Sequence, residues 1–195
     1  PNDGVIDNIK TYLPGLDALY ILDNSEIQDA SLVNKLSVLP KVIYISFGEN
    51  KGISYALNYV LKRVSSHRFL LTMDQDSKFK LGDIEIYKQQ IMALSRTDAK
   101  IAVYAINYIE KMNGLSETYK FVNYAITSGS IIDIERCYDI GGFDDNLFID
   151  QVDTEFCYRA AKHGFKIVMF YNMLLQHKLG NPRHYNFLGF KFIVF

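Results

Sequence analysis

Acidic residues directly follow two apolar runs that read as buried strands. Asp23 follows LDALYIL, and Asp74 and Asp76 follow RFLLTM. Two carboxylates at positions i and i+2 of a loop at a strand end can both reach one divalent cation. Mg²⁺ or Mn²⁺ is commonly held by one or two carboxylates together with substrate phosphates. The spacing predicts a cation site at Asp74 and Asp76, although DQDS would equally form a turn whose Asp and Ser side chains bond the backbone.

A second group of acids lies in the segment GGFDDNLFIDQVDTEFCYRAAKHGF. On a helix beginning near Asp150, Asp150 and Asp153 share a face, whereas Glu155 points elsewhere. The same pattern fits ordinary helix design, with Asp150 as the N-cap and acids in the first turn contributing ~0.3–1 kcal/mol each through the helix dipole. Arg159 is then expected to pair with Glu155 four residues earlier.

His177 is the third candidate, because it follows the last apolar strand in LLQHKLG. A single histidine in that position is either a ligand or a structural residue. Several familiar motifs do not occur: no GxGxxG follows a strand, GENKG at 48–52 does not match a P-loop, and GxSxG is missing. Dehydrogenase, P-loop and α/β-hydrolase chemistry are therefore disfavoured.

The elements that must position these residues alternate between strands and helices. Up to residue 110 the pattern predicts helices at 5–13, 53–64 and 83–94, with strands at 16–22, 41–47, 68–73 and 101–109. Such alternation implies βαβ units and a parallel sheet with both faces covered. Ligands of such sheets bind at the carboxyl ends of the strands, where the acids lie. Beyond residue 110 the pattern predicts a long or bent strand at 121–133, a turn at Gly141-Gly142, a helix at 150–163 and a strand at 165–172.

The amino-acid composition limits the classes of protein to which the chain can belong. The chain has 195 residues, 49% of them hydrophobic, with 21 Lys and Arg against 22 Asp and Glu. These values predict one compact domain and no nucleic-acid partner, since the sequence has no basic field for a phosphate backbone. Cys137 and Cys157 show no CxxC spacing, so we expect reduced thiols in a cytosolic protein. No apolar run reaches the ~18 residues of a membrane span.

Taken together, seven segments resemble the family 2 glycosyltransferases of the GT-A fold, and within them the bacterial rhamnosyltransferase-like group. In order along the chain they are NDGVIDNI, LDNS, ENKGISYALN, LTMDQDS, ITSGSIID, IGGFDDNLFIDQVDTEFCYRAAKHGF and QHKLG. They span nearly the whole chain. The resemblance implies a mostly parallel α/β sheet flanked by helices.

For the donor nucleotide, the resemblance implies a set of binding residues in the first half of the chain. Asp23 matches the acid that reads the pyrimidine base, with Asn24 and Ser25 beside it. Asn50 and Gly52 match a stretch near the donor phosphates or base. The implied partner is a dTDP or UDP sugar.

For the chemistry, the resemblance implies Mg²⁺ or Mn²⁺ bound by Asp74, Asp76 and His177, with Asp74 also near the ribose. Asp153 aligns with the general base of an inverting transfer to an acceptor hydroxyl. Asp150 stays an alternative base, because the residue before Asp153 is Val152 where the family motif has Glu. An inactive sugar-nucleotide-binding domain and a sugar nucleotidyltransferase are the competing functions.

The resemblance also implies a domain plan. Residues 1–195 would form a single catalytic domain, truncated at both ends and lacking the family's first strand, with a donor half at 1–110 and an acceptor and catalytic half at 111–195. The donor sugar would be rhamnose and the acceptor a glycan or lipid-linked sugar of cell-surface polysaccharide synthesis. The enzyme would be cytoplasmic, with peripheral contact at the inner face of the membrane through aromatic residues of the C-terminal segment: Tyr185, Phe187, Phe190, Phe192 and Phe195. Ordinary packing of a C-terminal element is the alternative for these aromatic residues.

Overall fold

A computed structural model describes residues 4–109, 117–177, 183–187 and 190–194. The helices are α1 Gly4–Lys10, α2 Ala30–Ser37, α3 Ile53–Leu61, α4 Asp83–Thr97, α5 Ile134–Ile140 and α6 Val152–Lys162, with a 3₁₀ helix at Leu13–Gly15. The strands are β1 Leu19–Asp23, β2 Val42–Ser46, β3 Phe69–Thr72, β4 Ile101–Ile106, β5 Tyr119–Val122, β6 Ser130–Asp133, β7 Lys166–Phe170, β8 Arg183–Phe187 and β9 Phe190–Val194. The expected alternation of strands and helices is therefore present up to β4.

β1 and β2 form a parallel pair, as the apolar runs predicted. Leu19 pairs with Val42 at one end, and Asp23 pairs with Ser46 at the other. α2 makes the connection between them and begins at Asp29, whose carboxylate accepts hydrogen bonds from the backbone of Ser31 and Leu32. Because both strands end at the same edge, the loops that follow them lie together.

The main sheet is mixed, so the expectation of a mostly parallel sheet needs correction. Its order is β3-β6-β4-β7-β5; only β4 and β7 are parallel there, and the other three pairs are antiparallel. The long strand expected at 121–133 is in fact two strands, β5 and β6, joined by a loop at 123–129. β6 lies between β3 and β4 and is antiparallel to both.

β4 forms the centre of the core. All six of its residues are buried. Ala102, Val103 and Ala105 pack in one hydrophobic cluster with α5 and α6, and Tyr104 and Ile106 pack in another with α4. Coverage of both faces explains why the sequence of this strand is almost continuously apolar.

β1 and β3 border a cavity of about 1130 Å³. Within the described residues β1 pairs only with β2, and β3 only with β6. Every residue of both strands lines the cavity, together with Val5 and Ile9 of α1. The edges of the two sheets therefore border the same cavity, and the acids at the ends of β1 and β3 also line it.

β8 and β9 form an antiparallel hairpin in which Tyr185 pairs with Phe192 and Phe187 with Phe190. All four are among the residues predicted to contact a membrane. Phe195 lies outside the described residues, and membrane contact stays a prediction. No helix among the described residues is both long and apolar enough to cross a bilayer.

Both cysteines are buried and free. Burial raises the pKa of Cys137 to about 12 and that of Cys157 to about 11. The thiols therefore stay protonated at neutral pH, and their free state agrees with the expectation of reduced cysteines.

Tyr87 of α4 supplies the first testable prediction, because its fully buried hydroxyl donates to the carbonyls of Tyr104 (2.6 Å) and Gly129 (3.2 Å). Tyr87→Phe leaves both carbonyls without this donor, so we expect the free energy of unfolding to fall by roughly 1–3 kcal/mol. Urea denaturation measures the change. Tyr158→Phe, which removes an exposed hydroxyl on α6, is the control; equal effects of the two substitutions would contradict the prediction.

Candidate active site

Asp74, Asp76 and His177 come together at the end of β3. One potential ligand atom from each lies within 4.8 Å of those of the other two. The Nδ1 atom of His177 lies 3.8 Å from Oδ1 of Asp76. His177 reaches this position because Lys78 and Gln176 form an isolated antiparallel bridge, with reciprocal backbone hydrogen bonds of 2.9 Å. The arrangement agrees with the cation site that the sequence predicted.

The Asp74 carboxyl is perturbed by its surroundings. Desolvation is the largest influence and raises its pKa, and the nearby Asp76 and Asp153 carboxylates raise it further. His177 and a hydrogen bond from the Ser128 side chain act in the opposite direction without cancelling the increase. A bound cation would offset this accumulation of negative charge.

Asp23 ends β1 with its carboxylate fixed from two sides. Oδ1 accepts from the backbone N–H of Ser25 at 2.8 Å, and Oδ2 accepts from the hydroxyl of Tyr44 on β2. Partial burial raises the pKa of Asp23, but the hydrogen bonds from Tyr44 and Ser25 outweigh that effect and leave it lowered. Burial and the adjacent carboxylate raise the pKa of Tyr44 to about 12. Asp23 is therefore a stable, oriented anion.

Asn24, Asn50 and Gly52 form one network at the start of α3. The side chain of Asn24 accepts from the backbone N–H of Lys51 (3.2 Å) and donates to the carbonyl of Gly52 (3.4 Å), while Asn50 accepts from the N–H of Gly52 (3.0 Å). Gly52 has a φ of 84°, and a Cβ there would lie 2.6 Å from the carbonyl oxygen of Phe148. Gly52 is thus required for loop geometry and close packing.

Asp153 lies in the first turn of α6. Its Oδ2 accepts from the backbone N–H of Thr127 at 3.3 Å. Desolvation raises its pKa, and backbone hydrogen bonds from Thr127 and from its own amide reduce the increase. The carboxylate in turn contributes to the raised pKa values of Tyr108 and Tyr124, although burial is the larger cause for both.

The beginning of α6 differs from the expectation that Asp150 is the N-cap. The helix begins at Val152, its N-cap is Gln151 with a φ of 67°, and that residue makes no side-chain capping bond. Val152 is 1% exposed and packs in the core, so burial of this side chain fixes where the helix starts. Asp150 is exposed in the preceding turn. Of the two candidate bases, Asp153 is the one that contacts Thr127.

Arg159 holds α6 in place. It forms the expected ion pair with Glu155: Nε and Nη2 of the guanidinium donate to the two carboxylate oxygens. It also donates to the carbonyls of Ile140 and Gly142 at 2.8 Å each. The link to the glycine turn fixes the helix that carries Asp153.

The cavity between β1 and β3 brings most of the predicted residues together. Those that line it are Asp23, Asn24, Ser25, Asp74, Asp76 and His177. Asn50, Gly52 and Asp153 are not among its lining residues, but Thr127, which contacts Asp153, is.

Sequence reasoning did not find the residues that orient this group. Thr127 and Ser128 precede β6 in the ITSGSIID segment, and Ser77 lies in DQDS. Their position as small polar residues next to strands was the only local signal that could have indicated this role. Tyr44 lies inside an apolar strand and carried no such signal.

Comparison with known proteins identifies the fold and the family. Among solved structures, GalNAc-T7 with UDP, GalNAc and Mn²⁺ superposes with a TM-score of 0.69 at 13% identity, covering 87% of this chain and 39% of that one. The mannosyltransferase PcManGT from Pyrobaculum calidifontis, in complex with GDP-Man and Mn²⁺, gives 0.64 at 15% identity, covering 87% and 54%. TarS of S. aureus gives 0.64 at 17% identity, covering 89% and 34%. These neighbours are GT-A glycosyltransferases, and the fold class is confirmed. The chain thus spans less than two thirds of each of these solved structures.

Among curated proteins, the dTDP-rhamnosyl transferase RfbF of Shigella flexneri is 27% identical over 215 residues, which covers 92% of this chain and 71% of the relative. The model of glycosyl transferase family 2 matches residues 4–166. That match includes Asp23, the Asp74 and Asp76 pair and Asp153, and it ends before His177. Because the family model covers well over half of its length, this chain belongs to glycosyl transferase family 2.

Proposed function

We propose that the chain transfers a sugar from a nucleotide diphosphate sugar to an acceptor hydroxyl, with inversion at the anomeric carbon. The observation that carries the proposal is the gathering of Asp74, Asp76 and His177 within 4.8 Å at a cavity that Asp23 also lines. The lining of that cavity offers both ligands for a cation and an oriented carboxylate. This combination suits a molecule with a diphosphate and a hydrogen-bonding base.

The donor is a dTDP or UDP sugar, with dTDP-rhamnose as the specific proposal. Asp23 is an ionised acceptor held by Tyr44 and Ser25, so it suits a pyrimidine N–H. The likeness to a dTDP-rhamnosyl transferase supports rhamnose as the sugar. Residues 1–110 then form the donor half and residues 111–195 the acceptor and catalytic half of a single domain.

The ligand set at Asp74, Asp76 and His177 fits Mg²⁺ or Mn²⁺. Carboxylate oxygens suit both ions, and an imidazole favours Mn²⁺ over Mg²⁺. When bound, the cation would neutralise charge on the diphosphate and make it a better leaving group. The described residues present these ligands at the border of the cavity, where a diphosphate has access to them.

Asp153 is the proposed general base. It takes the proton from the acceptor hydroxyl as the hydroxyl oxygen bonds to the anomeric carbon and the bond from that carbon to the diphosphate oxygen breaks. The N–H of Thr127 holds its carboxylate, and burial keeps the proton affinity above that of an ordinary aspartate. A glycoside and a nucleoside diphosphate are the products.

The acceptor is proposed to be a glycan or lipid-linked sugar in bacterial cell-surface polysaccharide synthesis. Such an acceptor places the enzyme in the cytoplasm, at the inner face of the membrane. The hairpin of β8 and β9 contains four aromatic residues, Tyr185, Phe187, Phe190 and Phe192, which supports peripheral contact there.

Metal dependence gives the second prediction. Adding Mn²⁺ with UDP or dTDP should raise the melting temperature of the chain. Asp76→Asn should largely abolish the part of this increase that depends on Mn²⁺, because one of the three ligands loses its charge. Differential scanning fluorimetry with and without EDTA measures this. Asp139→Asn removes an exposed carboxylate on α5 and is the matched control. If the nucleotide raises the melting temperature equally with and without EDTA, the result would contradict the proposed metal site.

Nucleotide recognition gives the third prediction. Asp23→Ala removes the oriented acceptor, so the dissociation constant for dTDP and UDP should rise about ten-fold or more, as expected for a hydrogen bond to a charged group. Isothermal titration calorimetry measures it. Glu26→Gln neutralises an exposed acid in the same loop and should leave the affinity unchanged. Equal affinities of Asp23→Ala and the native chain would remove Asp23 from the site.

The pH dependence of transfer gives the fourth prediction. A base works only when deprotonated, and burial raises the pKa of Asp153. The value of kcat/KM should therefore fall as pH drops through a pKa above the ~3.9 of an ordinary aspartate. Product formation from dTDP-rhamnose across pH measures the profile.

Two variants assign that profile to a residue. Asp153→Asn should lower kcat by about 10²–10⁴-fold while nucleotide affinity persists. Asp150→Asn, at the exposed alternative, should keep both activity and profile. Loss of activity in Asp150→Asn alone would transfer the role of base to that residue. A native chain that binds nucleotide but forms no product would indicate a binding domain.

A further inference from the structure

Two buried hydroxyls link Asp74 to His177. The Oγ of Ser77 lies 2.7 Å from Nδ1 of His177, and the Oγ of Ser128 lies 2.8 Å from the Oγ of Ser77. The backbone N–H of Asp74 donates to the Oγ of Ser128 at 3.1 Å. Ser77 is 0% exposed and Ser128 2% exposed, so bulk water does not compete for these hydroxyls.

The contact between Ser77 and Nδ1 of His177 can carry its proton on either side. In the first case the Ser77 hydroxyl donates to Nδ1, so a neutral ring carries its proton on Nε2. Neither ring nitrogen then offers a free lone pair to a cation. In the second case Nδ1–H donates to the Ser77 hydroxyl, which stays hydrogen-bonded to Ser128. Only when Nδ1 donates in this way is Nε2 free to bind a cation.

We propose that Ser77 and Ser128 are positioning residues for the cation site: they accept the Nδ1 proton of His177 and direct its Nε2 to the ion. This inference rests on the proposed metal site, and it adds residues that do not themselves touch the ion. The backbone N–H of Asp74 donates to Ser128, so the contacts that start at the ring of His177 end at a second proposed ligand of the same cation.

Two contacts position the ring of His177. The ring packs edge to face with Tyr108, with centroids 6.3 Å apart and planes at 86°. The backbone bridge between Lys78 and Gln176 fixes the main chain next to it. With the ring held in this way, the partner of Nδ1 decides which nitrogen is available to a metal.

The first experiment measures Mn²⁺ affinity of the whole chain by isothermal titration calorimetry. Ser77→Ala removes the partner of Nδ1, and Ser128→Ala removes the link to Asp74. We expect dissociation constants at least about ten-fold weaker for Ser77→Ala, and a smaller weakening for Ser128→Ala. Ser54→Ala is the matched control, because its hydroxyl is also buried but has no hydrogen-bond partner among the described residues; its affinity should equal that of the native chain.

The second experiment observes the tautomer directly. Long-range ¹H–¹⁵N spectra of the native chain loaded with Mg²⁺, which is diamagnetic, should show the His177 proton on Nδ1 and an unprotonated Nε2. A purely structural role for the serines would not fix this tautomer. The measurement needs no substitution, so it tests the inference even if Ser77→Ala fails to fold.

The outcomes separate this inference from the proposed metal site. Absence of Mn²⁺ binding by the native chain, with and without dTDP, would overturn the metal site and this inference together. Binding by the native chain that Ser77→Ala leaves unchanged, or strengthens, would overturn the inference alone; a strengthening would mean that Nδ1 is the ligand and Ser77 competes for it. A proton on Nε2 in the Mg²⁺-loaded chain would also overturn it.

Discussion

The loop at Thr127 and Ser128 holds both acidic centres of the site, and the rest of the arrangement depends on it. The N–H of Thr127 binds Asp153, and the side chain of the next residue binds Asp74. Gly129 then returns the chain to β3 through a 2.8 Å hydrogen bond to Thr72. A Cβ at Gly129 would lie 2.7 Å from Ile106, and its φ is 75°, so only glycine fits this close turn. Two adjacent residues thus fix the separation between the proposed base and the proposed metal ligands.

The site concentrates negative charge in partly desolvated surroundings. Burial raises the pKa of both Asp74 and Asp153, whereas the hydrogen bonds of Tyr44 and Ser25 lower that of Asp23. The three carboxylates therefore differ in character although their residue type is the same. Asp23 is suited to remain an anion, Asp74 gains from a neighbouring cation, and Asp153 has the elevated proton affinity of a base. Differences of this kind are characteristic of functional sites.

The sequence predicted β1 to β4, α3 and α4, and most of its candidate site residues lie at the cavity, because apolar runs ending in acids are local signals; α2 and α5 were not predicted. Asp23, Asp74 and Asp76 were found in this way. The antiparallel insertion of β6 between β3 and β4 was not, since the pairing of a strand depends on distant partners that its own residues do not encode. The N-cap expected at Asp150 was wrong because burial of Val152 fixed the helix start. Tyr44, Ser77 and Ser128 act through contacts between segments far apart in the chain, which no local pattern reveals.

The cavity between β1 and β3 has a consequence for the open edges of these two strands. Each strand is bonded to a neighbour on only one side within the described residues, so each presents a row of backbone donors and acceptors to the cavity. Open edges of this type are templates for an added strand, and natural proteins usually shield them with charges, bulges or proline. β1 and β3 contain no lysine and no proline, and Asp23 is their only charged residue. Within the described residues, these two strand edges therefore carry few of the features by which natural proteins prevent the pairing of an added strand.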